Sequence, residues 1–477
     1  MRDQYSPALD VAYRRALRFH EARKSVPTKA SATGDQLLEA FGGPMPEVGM
    51  APATVIERLA DAAEPGLTGT AGPHFFAWVM GASHPVGVAA DWLTSMWGQN
   101  GAGYHSCPAN AAAEAVASKW LLELLQLPPE CSLGFTTGGT MSHFVCLAAA
   151  RGELLRRQGW DVEADGLFGA PQITVCVGAD AHVSVFSALR YLGFGQRRVV
   201  VIPTDPDGRM DPNELRRAIA KVNEPLLVIA QAGQINTGAF DSMHTIAEST
   251  HEQEGWMHVD GAFGLWARAC PPRAYLAQGV EQADSWTTDG HKWLQAPYDC
   301  GFAIVRDASA HHRAMTVQAS YLPVTGEEVR DPKEWVPELS RRARGFATWA
   351  LLCAFGKDGI SAMVERHCQL AERMSAGLAR EPGIHVLNKV ELNQFLVRFT
   401  CAEMSEQSDQ ATKDVIAQLD TEGTVFFSGA AWKGMWVMRV SVISWATTEP
   451  DVDKAMSVII EAWRNVKGKT EESGSLN

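Results

Sequence analysis

Between about residue 110 and residue 305 the chain alternates helical and short apolar segments, and this alternation narrows the possible folds more than any other feature. The spacing predicts helices over 111–126, 141–158, 183–192, 212–222 and 242–254. It predicts strands over Ile173–Val177, 198–202, 226–230, 256–260 and 301–305. A helix between successive strands brings the chain back to the same end of a sheet, so the strands run parallel and the class is α/β. One helix start has an explicit local cause: Asp211 is placed to cap it, with Pro212 in the first turn and Glu214 at the third position.

The flanks read differently. Residues 1–83 combine a helix over Ala8–Lys24, the Gly/Pro-rich connection F-G-G-P-M-P-E and a second helix near Thr54–Ala63, with too little apolar periodicity for a core of their own. Such a segment is expected to pack on a partner subunit as a helical dimerisation segment, making a homodimer obligate. After about residue 345 a long helix, 346–379, precedes mixed strands including Gln394–Phe399 and Met435–Val442. The expected division is therefore 1–83, a large domain over 84–345, and a smaller α+β domain over 346–477. No internal repeat appears, and the tail K-G-K-T-E-E-S-G-S-L-N reads as disordered.

Charge and apolar content exclude some functions. With 42 Lys plus Arg against 55 Asp plus Glu the net charge is −13, which argues against a phosphate-backbone binder, so no nucleic-acid partner is expected. The first residues hold no apolar run of signal-peptide length, and no segment offers about 18 uninterrupted apolar residues. The expectation is a cytosolic protein without a membrane partner. Nine scattered cysteines show neither C-x-x-C nor a His/Cys zinc spacing, so buried reduced thiols are expected and no metal.

Two motifs carry reactive chemistry. S-W-T-T-D-G-H-K-W-L, Ser285–Leu294, places Lys292 after a histidine in a stretch with turn and polar signals; alone, such a pair is more often an ordinary exposed lysine. W-M-H-V-D-G-A-F-G, Trp256–Gly264, reads as an apolar strand that ends in an aspartate, the arrangement that delivers a carboxylate to the mouth of a site. Pyridoxal phosphate requires both groups: an amine to form a Schiff base, and a carboxylate to keep the pyridine nitrogen protonated. F-T-T-G-G-T-M-S-H, Phe135–His143, adds backbone N–H groups and hydroxyls at a helix N-terminus, where a phosphate dianion is well placed, although a Thr/Gly turn is more often a plain cap.

In their order, six motifs resemble the pyridoxal-phosphate-dependent group II amino acid decarboxylases, the family of aromatic-L-amino-acid, histidine and glutamate decarboxylases. They are T-T-G-G-T (136–140), A-H-V-S (181–184), N-T-G-A-F-D (236–241), H-V-D-G-A (258–262), D-G-H-K-W (289–293) and M-R-V-S-V (438–442). The resemblance implies a fold type I enzyme, a large domain with a mixed, mostly parallel sheet flanked by helices, and a homodimer with its cofactor near the subunit interface. By the same resemblance Lys292 is the Schiff-base lysine, Asp260 the partner of the pyridine nitrogen, and His182 the histidine that stacks on the ring. Taken alone, His182 reads as a helix cap or a surface histidine. Gly139, Thr140 and His291 are similar to the phosphate-holding positions, Ala262 to the small residue packed on the ring, and Asp289 either supports the phosphate contact or shapes a turn. The family's α-carbon proton donor is a tyrosine on a loop, 29 positions after the lysine, which falls on Tyr321. Relatives with phenylalanine there tend towards oxidative deamination to an aldehyde.

Departures from the family pattern bear on the substrate. Gln234 and Ile235 stand where many members have two threonines, and Ala77 and Met80 stand roughly where the aromatic decarboxylases have a tyrosine and a threonine. Asn100 and Ala102 replace bulky apolar residues that a neighbouring subunit lends to the aromatic pocket, leaving Trp78, Tyr104 and His105 as expected lining groups. No arginine or lysine is added at these positions to receive a second substrate carboxylate. The expected reaction is decarboxylation of an aromatic or otherwise apolar L-amino acid to the amine and carbon dioxide. An aldehyde-forming deaminase or an aminotransferase would use the same lysine and aspartate.

Overall fold

A computed structural model of the chain describes residues 5–23, 28–317, 330–400 and 406–474. Seven strands form the main sheet: β1 (Ser132–Thr136), β2 (Thr174–Gly178), β3 (Val200–Ile202), β4 (Leu226–Gln231), β5 (Trp256–Asp260), β6 (Ser285–Asp289) and β7 (Gly301–Val305). Their order across the sheet is β1-β7-β6-β5-β4-β2-β3. All but the edge strand β3 are buried throughout, as helices on both faces require. The parallel pairs β2–β3, β2–β4, β4–β5 and β5–β6 follow from the crossover helices. The Asp211 cap is present, its carboxylate accepting from the N–H groups of Asn213 and Glu214.

Two strands were not legible in the periodicity. β1, S-L-G-F-T, and β6, S-W-T-T-D, are short and rich in hydroxyl residues, and the latter lies in the segment read as turn and polar. Both are strands because each is hydrogen-bonded on its flank to β7, and burial decides the matter where propensity does not. No helix separates β6 from β7, so β7 runs antiparallel to both neighbours, and the expectation of parallel strands fails there. The eleven residues between these two strands carry Lys292.

A second, antiparallel sheet holds β8 (Ile384–Val386), β9 (Gln394–Phe399), β10 (Ser428–Trp432) and β11 (Met435–Ser441) in the order β10-β11-β9-β8. The helices Glu406–Glu422 and Glu449–Gly474 pack with it around a core of Phe395, Phe399, Met438 and Trp463. The second helix runs through most of the tail read as disordered. The long helix over Arg344–Leu378 breaks at Gly356 (φ 59°, ψ −178°), a conformation that ends one helix and starts another. Seven of the eight described cysteines are buried, while Cys353 is exposed; Cys401 lies outside the described residues. Among the described residues no helix is long and apolar enough to cross a membrane.

One buried ion pair ties the framework to the site. Arg341 donates to both carboxylate oxygens of Glu114 at 2.6 and 2.7 Å, with side-chain exposures of 1% and 0%. Its other terminal nitrogen reaches the Phe135 carbonyl at 3.4 Å, at the end of β1. Glu114→Ala would leave this guanidinium buried without compensation, which costs about 3–5 kcal/mol. Urea denaturation should show that loss, and the double variant E114A/R341M should recover part of it.

Candidate active site

The turn after β6 is held from three sides. The N–H groups of Gly290 and His291 donate to the Cys300 carbonyl at 3.0 and 3.1 Å, and the Cys300 N–H returns to His291 Nδ1 at 3.2 Å. Trp293 is buried and donates from Nε1 to His367 Nδ1 at 3.0 Å. Gly81 lies so close that a Cβ there would sit 2.3 Å from the His291 carbonyl oxygen and 2.4 Å from that of Lys292. Lys292 is thereby fixed at its backbone while its Nζ lies 3.0 Å from Asp289 Oδ2 and 5.9 Å from the centre of the Phe263 ring. His291 Nε2 is 3.7 Å from the same carboxylate oxygen, and its ring lies 4.5 Å from that of Tyr298.

Asp260 ends β5 and is buried. Burial pushes its carboxyl up, but the His143 imidazole, with His182 and the Lys292 ammonium nearby, outweighs burial and holds it well below the usual carboxylate range. His143 Nε2 lies 3.5 Å from Asp260 Oδ2, and the Ala262 N–H donates to Oδ1 at 3.1 Å. The site therefore contains a buried carboxylate that stays ionised.

The opposite end of the site is a helix N-terminus. Gly138 precedes the Gly139–Arg157 helix with φ 144°, and a Cβ there would lie 2.8 Å from His291 Cε1, so only glycine serves. The first N–H groups of that helix have no intrahelical acceptor. Gly138, Gly139, Thr140 and Met141 line the cavity, which suits a dianion. His182 both caps the helix Val183–Tyr191, accepting from the Ser184 N–H at Nδ1, and lines the same cavity. The helix-cap reading of that residue thus holds, and the cap also faces the cavity. Burial lowers its pKa, and Lys292, His143 and Arg439 add to that against Asp260, so its imidazole favours the neutral form.

These groups meet in one cavity of about 370 Å³. Lys292, Asp260, His182, Gly139, Thr140, Ala262, Asp289 and His291 all line it. Of the substrate-pocket candidates, Trp78, Met80, Asn100, Ala102, Tyr104 and His105 do not line it in this chain. Trp78 packs on Phe75 and Phe426, the Asn100 carboxamide accepts from Ala102 and Arg341, and the Tyr104 N–H donates to Asp331. Tyr321 lies outside the described residues. The structure adds Met141, Phe263, Tyr298 and, behind Asp260, His143, none of which the motifs singled out. Only the position of His143 four residues after Gly139, one helical turn into the site, hinted at its place.

The donor set fits pyridoxal phosphate. An ionised buried carboxylate suits a protonated pyridine nitrogen, the helix N-terminus and His291 suit a phosphate, His182 and Ala262 suit a flat ring, and Lys292 supplies the amine. Asp289 Oδ1 is also buried without a hydrogen-bond partner, an acceptor left for something inside the cavity.

Comparison with known proteins agrees. The model of the pyridoxal-dependent decarboxylase conserved domain matches residues 42–401. The aromatic-L-amino-acid decarboxylase of Bacillus atrophaeus is 28% identical over 91% of this chain and 90% of its own length. Phenylacetaldehyde synthase of Petunia hybrida is 24% identical over 83% of this chain and 81% of its own. Among solved structures, Oryza sativa TDC with PLP and tryptamine superposes with a TM-score of 0.91 at 23% identity, covering 98% of this chain and 99% of that one. The fold is therefore that of the pyridoxal-phosphate decarboxylases, and the chain belongs to the pyridoxal-dependent decarboxylase family, as an amino acid decarboxylase with pyridoxal phosphate as its cofactor.

Proposed function

We propose that the protein decarboxylates an aromatic or otherwise apolar L-amino acid to its amine, with Lys292 as the residue that binds the cofactor covalently. The observation that carries this reading is the joint placement of Lys292 and an ionised Asp260 in one cavity. When bound, pyridoxal phosphate supplies an electron sink for the pair left on the α-carbon as carbon dioxide departs. Asp260 holds a proton at the cofactor's ring nitrogen, and the amides of Gly139 and Thr140, with His291, hold its phosphate. His182 and Ala262 confine the ring.

The choice of substrate rests on the lining. Lys292 is the only lysine or arginine among the described residues that line the cavity, so nothing there matches a second substrate carboxylate. Met141, Ile235 and Phe263 offer apolar surface instead. Tyr321 Oη delivers the proton that completes the amine. The aldehyde-forming alternative is supported by several relatives, the petunia phenylacetaldehyde synthase among them, and differs only in whether that proton or dissolved oxygen reaches the α-carbon first.

The working protein is a homodimer. Exposed aromatic and aliphatic side chains gather on neighbouring helices, with Tyr13 edge-on to Trp92 at 6.1 Å, Trp97 against Phe346 and Trp120 beside Trp349. Within the N-terminal helices Tyr5–Ala22, Gly34–Phe41 and Pro52–Ala63 only Val11 and Ala62 are buried. A second copy of the chain would cover this apolar surface and bring further residues to the cavity, where Trp78, Tyr104 and His105 remain candidates.

Borohydride reduction of the loaded enzyme should fix a pyridoxyl group on the peptide that carries Lys292, and Lys292→Ala should abolish it by mass spectrometry. A fixed group elsewhere would reassign the reactive lysine. Tyr321→Phe should still release carbon dioxide but form amine about 10²–10⁴-fold more slowly, with aldehyde, ammonia and peroxide in its place. Amine at the wild-type rate would move the proton to another donor. Deleting residues 1–70 should give insoluble or inactive protein, whereas a soluble, active monomer would overturn the dimer.

A further inference from the structure

The contact that keeps Asp260 charged continues into the protein. Trp256, His258 and Asp260 alternate along β5 and share one face. His143 Nδ1 lies 2.9 Å from His258 Nε2, and His258 Nδ1 lies 2.9 Å from Ser285 Oγ. Trp256 Nε1 donates to that same hydroxyl at 2.9 Å. With His143 Nε2 at 3.5 Å from Asp260 Oδ2, five buried residues from β5, β6 and the Gly139–Arg157 helix form one line.

The ends of the line set its direction. An indole N–H only donates and an ionised carboxylate only accepts. Burial holds His258 well below its ordinary pKa, so it is neutral, donating from one nitrogen and accepting at the other. One order gives every group but the last a hydrogen-bond partner: Trp256 donates to Ser285, Ser285 to His258 Nδ1 and His258 Nε2–H to His143 Nδ1, which leaves His143 Nε2–H facing Asp260 at 3.5 Å, a charge contact outside hydrogen-bond geometry. In the reverse order a neutral His143 would turn a lone pair on the carboxylate, and only its protonated form would keep an N–H there. Either permitted arrangement presents a donor to Asp260.

We propose that His143, held in register by His258 and the Ser285–Trp256 pair, is a positioning residue that keeps an N–H on Asp260 and so keeps that carboxylate matched to the ring nitrogen of pyridoxal phosphate. The proposal rests on the reading of Asp260 as the ring partner. It assigns a purpose to a chain of polar groups that would otherwise cost stability inside the sheet. His143 does not itself line the cavity; it acts through Asp260, which does.

The test compares two ligands on the apoprotein, pyridoxal phosphate and 1-deazapyridoxal 5′-phosphate, which has CH in place of the ring nitrogen. Affinities come from quenching of tryptophan fluorescence, without turnover. The wild type should prefer the natural cofactor by about 10–100-fold, the value of one hydrogen bond to a charged group. His143→Leu should reduce that preference to roughly threefold or less, mainly by weakening pyridoxal phosphate, while His143→Asn, which retains an N–H donor, should keep most of it. His258→Leu should lower the preference in the same direction, and it carries the test if His143→Leu does not fold. Wild-type preference in both leucine variants, or equal loss of affinity for both ligands, would overturn the relay and leave His143 a packing residue. A wild type with no preference would instead remove Asp260 as the ring partner, and the proposal with it.

Discussion

Asp260 is nearly buried at the cavity wall and yet stays ionised, and the architecture around the site accounts for that. A buried carboxylate without compensation would bind a proton. Here His143 stands behind it, with His182 and the Lys292 ammonium nearby, and the balance falls on the ionised side. These groups come from separate elements: Asp260 from the end of β5, His143 from the helix after β1, His182 from the cap of the helix after β2, and Lys292 from the turn after β6. A shift of one residue in the β5–β6 register would turn Asp260 to the other face of the sheet and separate it from all of them.

The antiparallel strand β7 has a similar consequence. A crossover helix after β6 would carry the chain away from the ends of the strands, where ligands gather in α/β sheets. The direct return to β7 keeps the lysine turn at that edge, closed on Cys300 and braced by Gly81. The turn thereby fixes the backbone of Lys292, as the covalent attachment proposed for it would require.

The smaller sheet reaches the same rim. At the turn between β10 and β11, Lys433 Nζ lies 2.6 Å from Asp180 Oδ2, two residues before His182, and Arg439 on β11 donates to the Ile235 carbonyl at 2.9 Å. Arg209 pairs with Glu391 at 2.8 Å nearby. These contacts hold Ile235 and the segment before the His182 cap, both at the cavity, so the second sheet acts on the site by keeping them in place.

Sequence alone determined the alternation of helices with parallel strands, the Asp211 cap, and the residues whose chemistry is local: a lysine after His291, a carboxylate ending an apolar strand, small residues opening a helix. Each is written in neighbouring residues, where periodicity and turn chemistry operate. Tertiary structure decided the rest. β1 and β6 are strands because β7 pairs with them, although their own residues read as polar or short. Gly356 divides a helix that periodicity joins, since a single positive φ leaves no mark on the apolar pattern. His143 and His258, 115 positions apart, meet only after the sheet is assembled, and Trp78, Tyr104 and His105 lie away from the cavity of a single chain. Burial sets the protonation of His182, while groups that the assembled sheet brings beside Asp260 keep it ionised against burial, and neither is present in the order of residues.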